Sequence, residues 1–243
     1  MAMIAYDRTD AGAFAGTRHL SDDGAAAWRA AVRRYGRPRP GDRWADLGAG
    51  TGSWAEQFTR WFPGLGVVAV EPSAAMRDRC RHRPAVAGHA AAIPLRAGTA
   101  GAAWISTVLH HVPDLPAAAR ELRRVLRPGA PVLIRSAFAG RPGGISLFRW
   151  FPEAIRVLDT YPGIDDVEAA FATAGFRLET VEAVPQVTAP SLREAAGRLR
   201  REAHTPLQLI SDDAYEKGVG RLQAAARTAT GPVIDSLDLV VLR

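Results

Sequence analysis

Short apolar runs alternate with amphipathic segments along most of this chain. The runs Arg43–Leu47 and Gly66–Val70 are typical of buried strands, and Trp54, Phe58 and Trp61 recur between them at helical intervals. This order predicts a strand, a turn, a helix and a second strand. Repetition of such a unit is the signature of an α/β fold.

The same alternation continues towards the carboxyl terminus. Ser73, Asp114 and Asp165, the last with Glu168 three residues later, are typical helix-starting residues, and the helix after Ser73 is predicted to reach Arg81. Further strands are predicted at Ala85–His89, Ala102–Thr107, Pro131–Ser136, Phe176–Val184 and Leu237–Leu242. Additional helices are predicted over Asp23–Tyr35, Ser191–Arg201 and Asp212–Ala226.

Strands that alternate with helices favour a Rossmann-like α/β fold, in which a mostly parallel sheet carries helices on both faces. Residues 137–161 interrupt the alternation with glycine, proline and aromatic residues. We expect this stretch to form an inserted segment over the carboxyl edge of the sheet, where open α/β sheets bind ligands. Phe148 and Trp150–Pro152 are candidates for lining a ligand pocket there, and ordinary packing is the alternative for them.

Length and composition fit one main domain of 243 residues. The net charge of +6 comes almost entirely from arginines scattered among acidic residues, with Lys217 the single lysine, and this scatter disfavours a nucleic-acid partner. The single cysteine, Cys80, excludes an internal disulfide and a multi-cysteine zinc site, so no metal site is predicted. A reducing, cytoplasmic setting is expected, because the sequence also shows no leader pattern and no long apolar run. The sequence does not indicate an oligomeric state.

A glycine-rich turn follows the first predicted strand. Gly48, Gly50 and Gly52 let backbone approach a ligand closely, because glycine has no Cβ and tolerates positive φ. Ser53 stands where the dinucleotide-binding fingerprint has its third glycine, and no P-loop lysine follows Gly52. The turn therefore disfavours a pyrophosphate ligand.

Glu71 ends the second predicted strand, where a carboxylate can accept hydrogen bonds from both hydroxyls of a ribose. The glycine turn and this acid together predict a pocket for a nucleoside that needs little phosphate contact. An adenosyl group fits that description.

The segment Trp44–Gly52, together with Val70–Ser73, resembles the class I S-adenosylmethionine-dependent methyltransferases. Val108–Val112 and Glu121–Gly129 are similar to the ubiquinone and menaquinone methyltransferase-like branch, which acts on small molecules. The resemblance implies S-adenosylmethionine as cofactor and methylation of a small organic acceptor, in a setting such as specialised metabolism. It also implies a seven-stranded sheet whose last strand is antiparallel.

The resemblance further implies a single domain, residues 1–243, with a lid at about 1–36 and cover segments at about 137–163 and 186–230. It places Glu71 on the ribose hydroxyls and Ser106 near the methionine end. Two positions depart from the family pattern: His89–Ala90 replaces the acid that receives the adenine amino group, and Gly101 replaces an aspartate that opens the fourth strand. The implied cofactor-binding residues are Asp46, Gly48, Ala49, Gly50, Thr51, Glu71, Pro72, His89, Ala90 and Ser106.

His110 and His111 follow the fourth predicted strand and are the candidates for a catalytic base, because imidazole titrates near neutral pH. A structural role for the pair is the alternative. Two further functions stay open: a protein that binds the cofactor without methylating, and an RNA methyltransferase. A nicotinamide dehydrogenase is disfavoured by the missing third glycine.

Overall fold

A computed structural model describes residues 20–243 of the chain, and a seven-stranded sheet forms its centre. The strand order is β3-β2-β1-β4-β5-β7-β6, and β7 runs antiparallel to both of its neighbours while the other pairs are parallel. The predicted fold class, with its antiparallel last strand, is confirmed. The strands are β1 (Arg43–Leu47), β2 (Gly66–Val70), β3 (Ala85–Val86), β4 (Ala102–Ser106), β5 (Val132–Ser136), β6 (Leu178–Ala189) and β7 (Val233–Leu242).

Ten α-helices and several single 3₁₀ turns connect these strands within the described part of the chain. The predicted caps Ser73 and Asp114 are confirmed, since their side chains accept the amides of Met76 at 3.3 Å and Ala117 at 2.7 Å. The helices are α1 (Ala26–Gly36), α2 (Ser53–Trp61), α3 (Ala74–Asp78), α4 (Leu115–Val125), α5 (Ser146–Trp150), α6 (Ile155–Leu158), α7 (Ile164–Ala172), α8 (Leu192–Arg198), α9 (Thr205–Gln208) and α10 (Asp212–Ala225).

Apolar side chains fill both faces of the sheet. One face packs fully buried aromatic rings, among them Trp28 of α1, Phe58 of α2 and Trp104 of β4. The other face packs aliphatic side chains of the sheet against α4 and α7, with Leu122 and Phe171 fully buried. Successive residues of a strand point to opposite faces of the sheet, and both faces are buried here. The parallel strands are therefore continuous apolar runs in the sequence.

Several predicted boundaries are wrong. Helix α3 ends at Asp78, before Arg81, because the chain turns back and the Arg81 amide donates to the Thr51 carbonyl at 3.2 Å. Strand β3 ends at Val86, before His89, because His89 and Ala92 pair with each other in a tight turn. These interactions are tertiary or turn contacts that periodicity does not report.

The later boundaries differ for similar reasons. Helix α7 starts after Gly163, whose amide donates to Asp166 Oδ2 at 2.8 Å, so Asp165 does not cap it. Strands β6 and β7 are longer than predicted because they pair with each other over most of their length, with two register irregularities. Pairing of two strands extends both beyond the residues whose own pattern is apolar.

Short helices replace the regular alternation in two stretches. α5 and α6 lie within residues 137–163, and α8 to α10 lie within 186–230. They share a core in which Phe148 and Phe151 are 5% and 0% exposed. Of the two alternatives for these rings, ordinary packing is the one observed, since both lie in the core of the cover. Residues 1–19 of the predicted lid lie outside the described residues.

In residues 20–243, no helix combines the length and apolar character needed to cross a membrane. The same residues hold no group of three or more histidine, cysteine, aspartate or glutamate side chains that could bind a metal ion.

Candidate functional site

The glycine turn joins β1 to α2 at the carboxyl edge of the sheet. Gly48, Gly50 and Gly52 have φ of 69°, 56° and 80°, a region that favours glycine. A Cβ at Gly48 would lie 2.5 Å from the Val108 side chain, and one at Gly52 would lie 2.4 Å from Cys80 Sγ. Both the dihedral angles and the space therefore require glycine.

Backbone hydrogen bonds hold this turn against the end of β2. The amides of Gly48 and Ala49 both donate to the Val70 carbonyl, at 2.8 and 3.2 Å. The Gly52 amide closes the turn on the Ala49 carbonyl at 2.9 Å. Thr51 is 5% exposed within the turn. These hydrogen bonds fix the backbone conformation of the turn.

Glu71 lies where the sequence predicted, beside the turn at the end of β2. Its Oε2 accepts the Gly50 amide at 2.9 Å, and its Oε1 accepts the Ser73 amide at 2.8 Å. Burial raises the pKa of Glu71, and the two amide hydrogen bonds oppose that rise. Each carboxylate oxygen has a second lone pair, so both can also accept a hydroxyl of a diol.

Asp46 lies beneath the turn and is 2% exposed. Burial raises its pKa to about 7, the Ala55 amide opposes the rise, and the nearby Glu71 adds to it. Asp46 Oδ2 has no hydrogen-bond partner in the part of the chain that the structure describes. This carboxylate therefore links the end of β1 to α2 on the two sides of the glycine turn, and its pKa lies close to neutral pH.

The end of β4 carries Ser106 and a strained neighbour. Thr107 has φ of 54°, which is costly for a β-branched residue and is found mostly where the surrounding structure enforces it. Ser106 Oγ accepts Arg135 Nη1 at 3.1 Å, and Arg135 Nη2 donates to Gln186 Oε1 at 2.7 Å. The sequence predicted Ser106 but missed Arg135 and Gln186. The signal that could have identified Arg135 is its charge near the end of the otherwise apolar run of β5.

His110 and His111 form a 3₁₀ turn directly after β4. The His110 ring stacks on Tyr161 with the planes parallel and the centroids 4.1 Å apart, and it lies 4.0 Å from the His111 ring. The two histidines line a cavity of about 290 Å³ together with α6, the residues that follow it and α9. Its other lining residues are Arg156, Val157, Thr160, Tyr161, Thr205 and Leu209.

The two departures from the family pattern lie in different places. His89 is exposed in the tight turn after β3, and Ala90 packs against the core, so this pair lies at the carboxyl edge. Gly101 instead precedes β4 at the amino end of the sheet, next to the ion pair of Asp42 and Arg127. Gly101 therefore lies at the opposite edge of the sheet from the glycine turn, whereas His89 lies at the same edge as the turn.

The residues at this edge fit an adenosyl cofactor. The glycine turn has no room for side chains at Gly48 and Gly52, and the buried carboxylate of Glu71 is held in place by the turn itself. The exposed His89 offers a ring nitrogen in place of the family's acid.

Comparison with known proteins agrees with this geometry. Residues 45–134 match the family model described as a methyltransferase domain. These residues belong to the methyltransferase domain family. The matched span runs from β1 to β5 and contains the glycine turn, Glu71, Ser106 and the histidine pair.

The curated relatives of this methyltransferase domain are named as methyltransferases of small molecules. The chain is 37% identical over 109 residues to demethylmenaquinone methyltransferase of Corynebacterium kroppenstedtii, a match that covers 44% of this chain and 47% of the relative. It is 28% identical over 203 residues to 27-O-demethylrifamycin SV methyltransferase of Amycolatopsis mediterranei, covering 76% and 72%. The chain spans about half the length of the demethylmenaquinone relatives that it matches.

A solved structure shows the same fold over nearly the whole described chain. It is a putative methyltransferase from an antibiotic biosynthesis pathway of Anabaena variabilis, with a TM-score of 0.71 at 19% identity. The match covers 92% of this chain and 100% of the other. The fold thus extends well beyond residues 45–134, the segment matched by the family model.

Proposed function

We propose that this protein transfers a methyl group from S-adenosylmethionine to a small organic acceptor. The observation that carries the proposal is the buried Glu71 carboxylate, fixed by the Gly50 and Ser73 amides beside a turn that only glycine can form. A carboxylate in this position suits a ribose diol. The named relatives, which act on demethylmenaquinone and on 27-O-demethylrifamycin SV, support a small-molecule acceptor.

The cofactor-binding residues follow the edge of the sheet. Glu71 binds the ribose hydroxyls, and the backbone from Gly48 to Thr51 lies along the sugar and the methionine chain. Pro72, His89 and Ala90 border the adenine, and Ser106 borders the methionine end. Asp46, buried at the end of β1, supports the turn in this proposal.

Bound S-adenosylmethionine supplies an electrophilic methyl group, so the protein has to align an acceptor and remove its proton. The cavity beside His110 and His111 is the proposed acceptor pocket, because it opens directly after β4, the strand that carries Ser106. Either imidazole can accept the acceptor's proton near neutral pH. The segments 137–163 and 186–230 act as its cover within a single domain. Of the predicted lid at about 1–36, the residues of α1 pack in the core, with Trp28 fully buried.

Calorimetric titration of the purified chain with S-adenosylmethionine and S-adenosylhomocysteine tests the cofactor assignment. We expect both to bind with micromolar dissociation constants, and absence of binding at millimolar ligand would refute the proposal. A panel of phenols, carboxylic acids and amines, followed by mass spectrometry for a gain of one methyl group, then tests the activity. Binding without conversion of any acceptor would favour the non-methylating alternative.

A further inference from the structure

The cavity beside the histidine pair is lined by basic side chains and by no acidic one among the residues that the structure describes. The basic lining residues are His110, His111 and Arg156, and the other lining side chains are apolar or carry a hydroxyl. A cleft whose ionisable side chains are all basic attracts ligands of negative charge. The lining therefore favours an anionic ligand over a cationic one.

Arg156 is the lining residue with a permanent charge, and it is exposed on α6. Within residues 20–243 its side chain forms no hydrogen bond, ion pair or ring contact. The two acids nearest to it along the chain have other partners. Glu153 Oε2 accepts Arg221 Nη2 at 2.7 Å, and Asp159 Oδ1 accepts the Gly140 amide at 3.1 Å. The guanidinium is thus available to a ligand in the cavity.

The backbone that carries Arg156 is fixed within the cover. Val157 and Leu158, the next two residues of α6, are 7% and 0% exposed. Tyr161 follows them and stacks on His110. A cavity of about 290 Å³ is roughly 8 Å across if its shape is close to a sphere. One ligand can therefore contact the guanidinium and an imidazole at the same time.

The volume of the cavity limits the size of its ligand. About 290 Å³ lies at the lower end of the range of roughly 300 to 1,000 Å³ that is usual for ligand pockets. Val157 and Leu209 supply apolar surface, and Tyr161 supplies an aromatic ring. A single aromatic ring that carries one acidic group suits both the volume and the lining.

We propose that the methyl acceptor is a small aromatic acid with a hydroxyl group, and that Arg156 binds its carboxylate. This assignment rests on the proposed function, because it places the acceptor in the cavity beside His110 and His111. Guanidinium and carboxylate form charge-assisted hydrogen bonds. With the carboxylate at Arg156, the hydroxyl on the other side of the ring faces the imidazoles. Arg156 is thus a binding residue that determines the class of acceptor.

The test changes the charge of the ligand and the charge of the pocket separately. Calorimetry on the full chain saturated with S-adenosylhomocysteine compares the ortho, meta and para isomers of hydroxybenzoate with the matching hydroxybenzamides. Acid and amide have nearly the same shape, so each pair differs mainly in charge. The variants are Arg156→Met, Arg156→Lys and the control Arg149→Met. Arg149 is an exposed arginine of α5 in the same cover, lies 5.0 Å from the ring centroid of Trp150 and does not line the cavity.

We expect at least one acid to bind wild type about fivefold more tightly than its amide, a modest effect for a charged hydrogen bond because Arg156 is exposed. Added salt should reduce this preference, because it screens an exposed ion pair. Arg156→Met should abolish the preference and leave the affinity for the amide within about twofold. Arg156→Lys should keep part of it, because the charge remains. Arg149→Met should keep all of it.

A wild-type protein for which no acid binds more tightly than its amide, whether both bind or neither does, would overturn the assignment. Equal weakening of acid and amide by Arg156→Met would also overturn it, because the residue would then only support the shape of the pocket. In both cases binding of S-adenosylhomocysteine would leave the proposed function standing. Failure of wild type to bind S-adenosylhomocysteine would refute the proposed function itself. If Arg156→Met does not fold by circular dichroism, the wild-type titrations and Arg156→Lys decide.

Discussion

The two halves of the carboxyl edge are built by different means. On the cofactor side, backbone amides of Gly48 and Gly50 bond to the Val70 carbonyl and to Glu71, so the site is made of two short stretches of chain. On the acceptor side, His110 meets Tyr161 through a side-chain ring stack between segments far apart in sequence. The first kind of site depends on backbone conformation and the second on tertiary packing.

This difference predicts that substitutions on the two sides will change different measured properties. Changes in the glycine turn should disturb stability and cofactor binding together, because the turn is both structure and site. Changes beside the histidines should alter turnover with little effect on cofactor affinity. The predictions below test that separation.

The largest effect is expected for Gly48→Ala. The new Cβ would lie 2.5 Å from Val108 on a backbone with φ of 69°, so strain and overlap add to about 3 kcal/mol of lost unfolding free energy. Urea unfolding measures this, and cofactor binding should fall below detection. Gly140→Ala is the matched control, since Gly140 has φ of 72° with open space around it and should cost only about 1 kcal/mol. Equal losses in the two variants would show that the Val108 contact is unimportant.

The acceptor side is tested by the double substitution His110→Ala with His111→Ala. Loss of a general base should lower kcat about 100-fold, and the Kd for S-adenosylhomocysteine should stay within about twofold. Leu209→Ala is the control, because Leu209 lines the same cavity, is 44% exposed and carries no titratable group. It should raise KM and change kcat by less than about twofold. An unchanged kcat in the double variant would assign the pair a structural role.

The buried Asp46 predicts an unusual dependence of stability on pH. Its pKa is raised to about 7 in the folded protein, so between about pH 4 and pH 7 the folded state holds a proton that the unfolded state has released. The Asp46 contribution therefore favours the folded state at low pH and is lost as the pH rises.

Urea unfolding of wild type and Asp46→Asn at pH 5 and pH 7.5 measures that contribution. The wild-type protein should lose on the order of 2 kcal/mol relative to Asp46→Asn over this interval. Asp114→Asn serves as a control, because Asn also caps a helix and Asp114 is exposed. A constant difference between wild type and Asp46→Asn would show that Asp46 does not titrate in this range.

The same difference between local backbone structure and tertiary packing decides which features the sequence predicts correctly. The bounds of β1 and β2 and the caps Ser73 and Asp114 are correct, since strand pattern and capping depend on residues close together in sequence. The position of the glycine turn after β1 and of Glu71 at the end of β2 also follows from local sequence, while their contact with a cofactor stays a prediction.

Contacts between distant residues were not predicted. The bond from Arg135 to Gln186 joins β5 to β6 across 51 residues, and no local pattern reports it. The stack of His110 on Tyr161 depends on where the cover segment folds back, which periodicity does not encode. For the same reason the sequence leaves pocket lining and core packing open for Phe151, which the structure places in the core.

The smallest of these effects is expected for Glu71→Ala, and it tests the ribose assignment. Loss of the carboxylate should weaken S-adenosylhomocysteine binding at least about tenfold, because the ribose hydroxyls lose a charged acceptor. Glu71→Gln should weaken it less, because the amide oxygen still accepts one hydrogen bond. Glu153→Ala, which removes a carboxylate paired with Arg221 in the cover, is the matched control and should leave the affinity unchanged. Calorimetry on the three variants, with circular dichroism to confirm folding, decides between recognition and support of the turn. Because Glu71 also accepts the Gly50 amide, a loss of affinity for S-adenosylhomocysteine matched by an equal loss of unfolding free energy would assign it to support alone.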